Sequence, residues 1–212
     1  MNIVYKASRL LAKFCFYTFG RWEVIGQEAI PPRGRLIVVA NHQSNADPPV
    51  LVAAMNRPLN LVAKRELFRN PIARWFMRKW QSYPADKDGK DIDLIRGLLK
   101  KLNQEEVVAI FPEGSRHPHA MGQGSSGVAY LALKANAPIL PVAITGTENA
   151  RSFKRLFFPL THLKVTIGDP FSLPTLEGKV TPSVLNSLTD IVMNRVAVLL
   201  PETYRGVYSK KS

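Results

Sequence analysis

Cysteine and long apolar runs are what this sequence most clearly lacks. Cys15 is the single cysteine among 212 residues, which excludes an internal disulfide and fits a reducing compartment. No apolar run reaches the roughly 18 residues that a membrane-spanning helix needs. Near the start of the chain, Lys6, Arg9 and Lys13 interrupt the apolar core that a secretory signal peptide requires. A chain of this length without internal repeats is expected to form one globular domain.

Acidic residues are also scarce. The sequence has 16 Asp and Glu against 29 Lys and Arg, which gives a formal net charge of +13. This imbalance indicates an anionic partner: a nucleic acid, an anionic membrane surface or a phosphorylated substrate. The basic residues are not interleaved with aromatic residues in the way that single-strand binders require. We therefore expect a membrane surface or a phosphorylated substrate as partner, and no nucleic acid.

Short apolar runs alternate along the chain with longer segments of helical periodicity. This alternation predicts an α/β fold, a single layered domain around a mostly parallel sheet flanked by helices. The predicted strands are 22–26, 36–40, 59–63, 107–111, 139–144 and 163–167. The predicted helices are 2–20, 48–56, 64–79 with a break at Asn70–Pro71, 91–103, 125–136 and 181–200, and residues 83–89 are predicted to lead into a polar turn.

The N-terminal segment predicts an amphipathic helix. Lys6, Arg9 and Lys13 recur at positions i, i+3 and i+7, so they share one face of a helix whose other positions are largely apolar. This pattern favours a helix in a membrane interface, with its amines toward anionic headgroups. The alternative is a helix packed on the domain with a solvated basic edge. We divide the chain accordingly into an interface helix, 1–21, and a domain, 22–212.

The stretch from Asn41 to Asp47 is the first candidate site. It follows the predicted strand 36–40, so His42 lies just past the carboxyl end of a strand, where open α/β sheets bind their ligands. A neutral imidazole can take a proton from an alcohol, and a carboxylate five positions later can orient the ring. The alternative is that Asp47 is a helix N-cap and that loop backbone satisfies His42, and the two interpretations of Asp47 are compatible.

A second candidate site follows the predicted strand 107–111. Gly114 allows the backbone to approach a ligand closely, Arg116 offers a bidentate fork for phosphate, and Glu113 can accept a hydrogen bond from a hydroxyl. The alternative is a surface turn with an exposed ion pair.

Two further patterns point to no site. The glycines at 122, 124 and 127 match the letters of a dinucleotide motif, but a polar loop separates them from the preceding strand. His117 and His119 have no evident third ligand, so no metal is expected.

Taken in order, these motifs resemble the glycerolipid acyltransferase family, in particular the bacterial 1-acyl-sn-glycerol-3-phosphate (lysophosphatidic acid) acyltransferases. The resemblance covers residues 22–170. An Asn-His-x4-Asp motif precedes a Phe-Pro-Glu-Gly-Ser-Arg motif by about seventy residues, as in that family. Three further blocks follow the family pattern, namely 64–68, 127–132 and 138–142.

The resemblance implies a glycerol-3-phosphate acyltransferase-like fold and a role for each motif residue. His42 is the implied general base, and Asp47 is the implied orienting carboxylate. The residues implied to bind the phosphate and glycerol of the acceptor are Lys64, Glu113, Gly114, Ser115 and Arg116. Ser115 replaces the usual threonine and keeps its hydroxyl.

The second block of the family departs from its pattern here. The family has glycine where this chain has Gln81, and it has arginine where this chain has Lys87. Because lysine is a point charge rather than a planar fork, this change bears on the acceptor headgroup.

The resemblance also implies the substrates. The acyl donor is a thioester, either acyl-CoA or acyl carrier protein, and the acceptor is lysophosphatidic acid, with phosphatidic acid as product. No metal or bound cofactor is implied. The protein is expected at the cytoplasmic face of the cell membrane, peripheral or monotopic. The alternatives are acylation of another lyso-lipid or hydroxyl acceptor by the same His–Asp pair, and a non-catalytic protein that binds anionic membranes.

Overall fold

A central sheet organises the part of the chain that the computed structural model describes, which is residues 2–86, 91–149, 155, 157–176 and 179–209. Lys87 lies outside these residues. Within them, the sheet has seven strands in the order β1-β7-β6-β2-β5-β3-β4. The strands are β1 (Arg21–Ile25), β2 (Leu36–Ala40), β3 (Leu59–Lys64), β4 (Ser82–Ala85), β5 (Val107–Ile110), β6 (Ile139–Thr145) and β7 (His162–Ile167).

The direction of the strands confirms the predicted α/β class. β6, β2, β5, β3 and β4 run parallel to one another, while β7 is antiparallel to β6 and parallel to β1. In register, Val38 of β2 pairs with Ala109 of β5 and with Leu140 of β6. β2 is thus buried in the middle of the sheet, which explains its uninterrupted apolar sequence.

Helices cover both faces of the sheet. Because side chains alternate along each strand, each strand contributes residues to two separate cores, one on each face. Leu36 and Val38 belong to one core, and Ile37 and Val39 belong to the other. The helices are α1 (Ile3–Phe19), α2 (Asp47–Ala54), α3 (Pro71–Lys79), α4 (Ile92–Asn103), α5 (Gly127–Ala135) and α6 (Pro182–Ala197), with 3-10 turns at Gln27–Ala29, Arg65–Phe68, Thr147–Asn149, Glu202–Tyr204 and Gly206–Tyr208.

Two local predictions met different outcomes. The break at Asn70–Pro71 is confirmed, because Asn70 caps α3 by accepting hydrogen bonds from the amides of Ile72 and Ala73. The predicted polar turn at Asp88–Gly89 lies outside the described residues, and the segment that leads toward it contains β4, Ser82–Ala85, which was not predicted. β4 is a short edge strand that contains Pro84, and an edge strand tolerates a proline because it is paired on one side only.

The predicted N-terminal helix is confirmed as α1, and it packs on the domain through one face. Tyr5 and Phe16 are buried, and the Tyr5 hydroxyl accepts a hydrogen bond from the amide of Leu59 in β3 at 2.9 Å. The opposite face leaves large apolar side chains exposed. They are Ile3 (78%), Leu10 (71%), Phe14 (59%) and Tyr17 (67%).

Of the three basic side chains predicted to share one face of α1, Arg9 is engaged by the domain. Lys6 is exposed, but the Arg9 guanidinium donates to the carbonyl oxygen of Met55 at the end of α2. Burial and the neighbouring Arg9 charge lower the pKa of Lys13. Among the described residues, no helix is both long and apolar enough to cross a membrane.

Candidate active site

The loops that follow β2, β5 and β6 meet at one edge of the sheet. These strands are neighbours and run parallel, so their carboxyl ends point the same way. The loop after β2 carries His42 and leads into α2 at Asp47. The loop after β5 carries Glu113 to Arg116, and the loop after β6 carries Thr147. The two sequence motifs are therefore brought together, and the structure adds a third segment that sequence reasoning missed.

His42 and Asp47 are in direct contact. The imidazole Nδ1 lies 2.6 Å from Asp47 Oδ2, and the His42 ring stacks on Phe111, with 4.5 Å between ring centroids. The His42 side chain is 17% exposed and that of Asp47 is fully buried. An imidazole bonded to a carboxylate through Nδ1 carries its proton there and leaves Nε2 as the acceptor. This geometry suits proton abstraction from a hydroxyl group.

The interpretation of Asp47 as a helix cap is wrong, because the cap position is Ala46 and Asp47 is the first residue of α2. Its carboxylate points back into the loop. Oδ2 accepts hydrogen bonds from the amides of Gln43 (2.6 Å) and Ser44 (2.8 Å), and Oδ1 accepts one from the Thr147 hydroxyl. Thr147 is a hundred residues from Asp47 and carries no local sequence signal, which is why it was missed.

Two amide side chains hold the first part of the loop. The Asn41 side chain accepts a hydrogen bond from the Ile144 amide (2.8 Å) and donates one to the Ile144 carbonyl oxygen (2.9 Å), so it extends the pairing of β2 with β6. The Gln43 amide best satisfies its neighbours when its nitrogen donates to the Ile144 carbonyl oxygen (3.2 Å) and to Thr147 Oγ1 (3.1 Å). These bonds join the backbone on either side of His42 to β6.

Glu113 lies beneath the site, with its carboxylate directed at loop backbone. Its side chain is fully buried, Oε1 accepts a hydrogen bond from the His42 amide (2.8 Å), and Oε2 accepts one from the Gly122 amide (2.7 Å). Burial raises the pKa of Glu113 to about 7, although these two amides oppose the shift. The carboxyl group therefore positions the His42 backbone.

Three other residues of the second motif face outward beside His42. Arg116 is exposed and donates to Asn45 Oδ1 at 2.9 Å, which places its guanidinium over the His–Asp loop. Gly114 has a φ of 63°, and a side chain built there meets open space, so the left-handed backbone is the reason for glycine. The Ser115 hydroxyl lies 2.9 Å from Nε2 of His117, and the His117 amide donates to the His42 carbonyl oxygen at 2.7 Å.

Lys64 ends β3 on the same edge of the sheet. With β5 between β3 and β2, Lys64 lies about 10 Å along the sheet from the His42 strand, or two strand spacings. Across the described ranges, no three His, Cys, Asp or Glu side chains are grouped to hold a metal ion.

The C-terminal segment supports the same site from outside. The amide of Met121 donates to the Tyr204 carbonyl oxygen (2.9 Å), and the Tyr208 hydroxyl accepts from the Gly124 amide (3.0 Å). The Tyr204 hydroxyl donates to Glu148, the residue after Thr147. Residues 201–209, here called the C-terminal strap, thus hold the loops on both sides of the His–Asp pair, and no motif marks them in the sequence.

These features define an α/β protein with a histidine–carboxylate pair at the carboxyl edge of its sheet and an arginine-bearing loop beside it. A family model described as Acyltransferase matches residues 21–145, which is more than half of the chain. The chain therefore belongs to this acyltransferase family, and the resemblance found in the sequence is confirmed.

Known proteins extend the similarity over most of the chain. The 1-acyl-sn-glycerol-3-phosphate acyltransferase of Bacillus subtilis is 24% identical over 85% of this chain and 88% of its own length. The 1-acyl-sn-glycerol-3-phosphate acyltransferase alpha of Mus musculus is 29% identical over 93% of this chain and 70% of its own. The crystal structure of the 1-acyl-sn-glycerophosphate (LPA) acyltransferase PlsC from Thermotoga maritima superposes with a TM-score of 0.69 at 26% identity, covering 92% of this chain and 79% of that one.

Proposed function

We propose that this protein transfers a fatty acyl group from a thioester to the free sn-2 hydroxyl of 1-acyl-glycerol-3-phosphate, giving phosphatidic acid. The observation that carries the proposal is the 2.6 Å contact between His42 Nδ1 and Asp47 Oδ2 beside the outward-facing Arg116. The names of the related proteins support lysophosphatidic acid as the acceptor. The reaction needs no metal and no bound cofactor.

In the proposed reaction, His42 Nε2 takes the proton of the acceptor hydroxyl as its oxygen attacks the thioester carbonyl carbon. The tetrahedral intermediate collapses by breaking the carbon–sulfur bond, and the thiolate takes the proton from the imidazolium. Asp47 stabilises the imidazolium and fixes its orientation, and such general-base catalysis contributes about 10²–10⁴-fold. The products are phosphatidic acid and the free thiol of the carrier.

Acceptor specificity is assigned to the cationic rim. Arg116 binds the acceptor phosphate, and Lys64 adds a second positive charge. Gly114 and Ser115 let the backbone of their loop approach the acceptor. Holding the phosphate in this way positions the hydroxyl over His42, which lowers the entropic part of the barrier.

The membrane is proposed as the source of the acceptor. The exposed side of α1, led by Ile3, Leu10 and Phe14, is the surface proposed to enter the interface at the cytoplasmic face of the cell membrane. Peripheral or monotopic binding of this kind would hold the protein at the surface in which the lyso-lipid lies.

An acyl-transfer assay tests the function directly. Purified protein is given lysophosphatidic acid, lysophosphatidylcholine or monoacylglycerol, each with acyl-CoA or with the acyl thioester of acyl carrier protein. We expect phosphatidic acid with at least one donor, a strong preference for lysophosphatidic acid over the other two acceptors, and loss of activity in His42→Ala. A faster reaction with lysophosphatidylcholine or with monoacylglycerol favours acylation of another acceptor. No transfer with any pair, together with tight binding to anionic vesicles, favours a non-catalytic membrane protein.

A further inference from the structure

The imidazole of His117 lies beside the second motif, and the proposed reaction gives it no role. Its Nε2 is 2.9 Å from the Ser115 hydroxyl oxygen and 3.9 Å from Glu113 Oε2. Ser115 and Arg116 are exposed, and 38% of the His117 side chain is accessible to solvent. A ligand that contacts Arg116 can therefore also contact the Ser115 hydroxyl that His117 holds.

The position of the His117 ring is built into the loop. Gly122 leaves room for the ring, because a Cβ at this position would lie 2.5 Å from Nε2 and 2.6 Å from Cε1. The Gly122 amide in turn donates to Glu113 Oε2, and the His117 amide donates to the His42 carbonyl oxygen at 2.7 Å. The ring is thus ordered before any ligand arrives, so binding costs little further conformational freedom there.

Both polar neighbours of His117 Nε2 are oxygen atoms, which decides where its hydrogen lies. Glu113 Oε2 is an acceptor in this structure, since it accepts a hydrogen bond from the Gly122 amide. A hydrogen on Nε2 is attracted by Oε2 and by the Ser115 oxygen, whereas a lone pair on Nε2 would be repelled by Oε2. His117 therefore donates to the Ser115 hydroxyl oxygen.

A serine hydroxyl that accepts a hydrogen bond keeps its own hydrogen for another partner. The Glu113 carbonyl oxygen lies 3.5 Å from the Ser115 hydroxyl oxygen, which is longer than a good hydroxyl hydrogen bond. The hydrogen is thus available to a ligand. Arg116 is held in a similar way, because it donates to Asn45 Oδ1 at 2.9 Å. Two donors ordered on one loop suit a phosphate group, whose oxygens accept several hydrogen bonds.

We propose that His117 is a positioning residue for the acceptor: it holds the Ser115 hydroxyl so that this hydroxyl donates to the acceptor phosphate beside Arg116. His117 thereby determines acceptor specificity without touching the reacting hydroxyl. The inference rests on the proposed function, because it takes a phosphate-bearing lyso-lipid as the acceptor. A neutral acceptor such as monoacylglycerol has no phosphate and gains nothing from this arrangement.

Acyl-transfer kinetics of His117→Leu test the inference. We expect the KM for lysophosphatidic acid to rise about tenfold, the effect of losing one hydrogen bond to a charged group. The kcat and the KM for the thioester should not change, and neither should activity with monoacylglycerol, so the preference for the phosphate-bearing acceptor falls. The matched control is His162→Leu, which replaces a similarly exposed imidazole on β7, bonded to Glu23, and should behave as wild type.

Further variants separate a positioning role from a structural one. His117→Gln presents an amide N–H near the place of Nε2 and should restore most of the affinity for the acceptor. His117→Asn is too short to reach Ser115 and should match His117→Leu, which covers the case in which leucine disturbs folding. Ser115→Ala should raise the same KM, and Ser115→Ala/His117→Leu should be no worse than Ser115→Ala, because both changes remove one interaction.

Titration of the full-length protein with a short-chain, water-soluble lysophosphatidic acid measures acceptor binding without turnover. If His117→Leu binds this probe more weakly than wild type does but no thioester supports transfer, the inference stands and the proposed function fails. Transfer to lysophosphatidic acid with the same KM in wild type and His117→Leu has the opposite meaning. A glutamine variant as poor as the leucine variant, additive effects in the double variant, or a loss of kcat and melting temperature at constant KM also overturns the inference.

Discussion

Asp47 illustrates at the residue scale how burial changes the meaning of a motif. Its carboxylate accepts hydrogen bonds from two backbone amides and from Thr147, besides its contact with His42. A helix cap on the surface would need none of these partners. The charge of Asp47 is thus held in place by the loop that it orders, and function and stability are coupled at this position.

Asp47→Asn is expected to lower both activity and stability. Asparagine has one acceptor oxygen and no charge, so it cannot stabilise an imidazolium and leaves part of the buried network unpaired. We expect kcat to fall about 10²–10⁴-fold and the free energy of unfolding to fall by about 1–3 kcal/mol. Steady-state kinetics and urea unfolding measure the two effects. Asp93→Asn removes an exposed carboxylate of α4 and should change neither, whereas full activity in Asp47→Asn would remove Asp47 from the mechanism.

Glu113 makes stability depend on pH. Its pKa is raised from 4.5 to about 7, chiefly by burial, so the folded protein holds this proton where the unfolded chain has lost it. The stabilising effect of that proton is complete below about pH 4.5 and declines as the pH rises to about 7.

Glu113→Gln is expected to remove this dependence. Glutamine keeps the shape of the side chain and one acceptor oxygen but does not titrate. From pH 5 to pH 8, the free energy of unfolding of wild type should therefore fall relative to that of the variant. The shift is ~3 kcal/mol at most, from about 1.4 kcal/mol per pKa unit. Urea unfolding at several pH values measures it. A difference that stays constant over this range would contradict the burial argument.

At the scale of elements, α1 has two faces with different partners. Tyr5 and Phe16 pack into the core, and Arg9 is held by the Met55 carbonyl oxygen, while Leu10 and Phe14 point outward. Apolar contact should therefore outweigh charge in binding to vesicles. A free surface lysine contributes only about 1 kcal/mol near an anionic leaflet.

Leu10→Ser/Phe14→Ser is expected to weaken binding to neutral and to anionic vesicles alike. Both side chains are more than half exposed, so the folded domain should keep its melting temperature. Lys6→Gln, the matched charge variant, should weaken binding to anionic vesicles by about fivefold and to neutral vesicles hardly at all. Co-sedimentation with liposomes measures both. If the serine variant sediments as wild type does, α1 is not the anchor, and the exposed Ile72 and Trp75 of α3 are the next surface to change.

At the scale of the whole molecule, the site depends on segments from widely separated parts of the chain. The C-terminal strap bonds to Met121 and Gly124, and the neighbouring Gly122 amide donates to Glu113. Glu113 in turn accepts a hydrogen bond from the His42 amide. A continuous set of contacts therefore runs from the strap to the backbone of His42.

Tyr208→Phe tests that connection. The change removes the hydroxyl that accepts from Gly124 and donates to Asp190 without opening a cavity. We expect kcat to fall several-fold and stability to fall by about 1–2 kcal/mol, with the KM values unchanged. Tyr130→Phe on the exposed side of α5 is the control and should behave as wild type. An unchanged kcat at reduced stability would limit the strap to a structural role.

Many of the helices and strands could be predicted because each has a local pattern of apolar residues. The buried strand β2 has an unbroken apolar sequence, and α4 has its apolar residues on one side, so their types followed from periodicity. β4 could not be predicted in this way, because four residues that include a proline carry too weak a pattern. The positions of His42, Asp47 and Arg116 followed from motifs at the ends of predicted strands.

The sequence by itself determined the fold class, the acyltransferase family and the residue types at the edge of the sheet. Only the tertiary structure decided that Glu113 is buried beneath His42, that Thr147 binds Asp47, and that Arg9 donates a hydrogen bond to the Met55 carbonyl oxygen. The physical reason is that motif residues occupy short local segments, whereas burial and hydrogen-bond partners come from strands and loops that are distant in the chain. Long-range packing alone sets which polar atom faces a ligand and which one holds another residue in place.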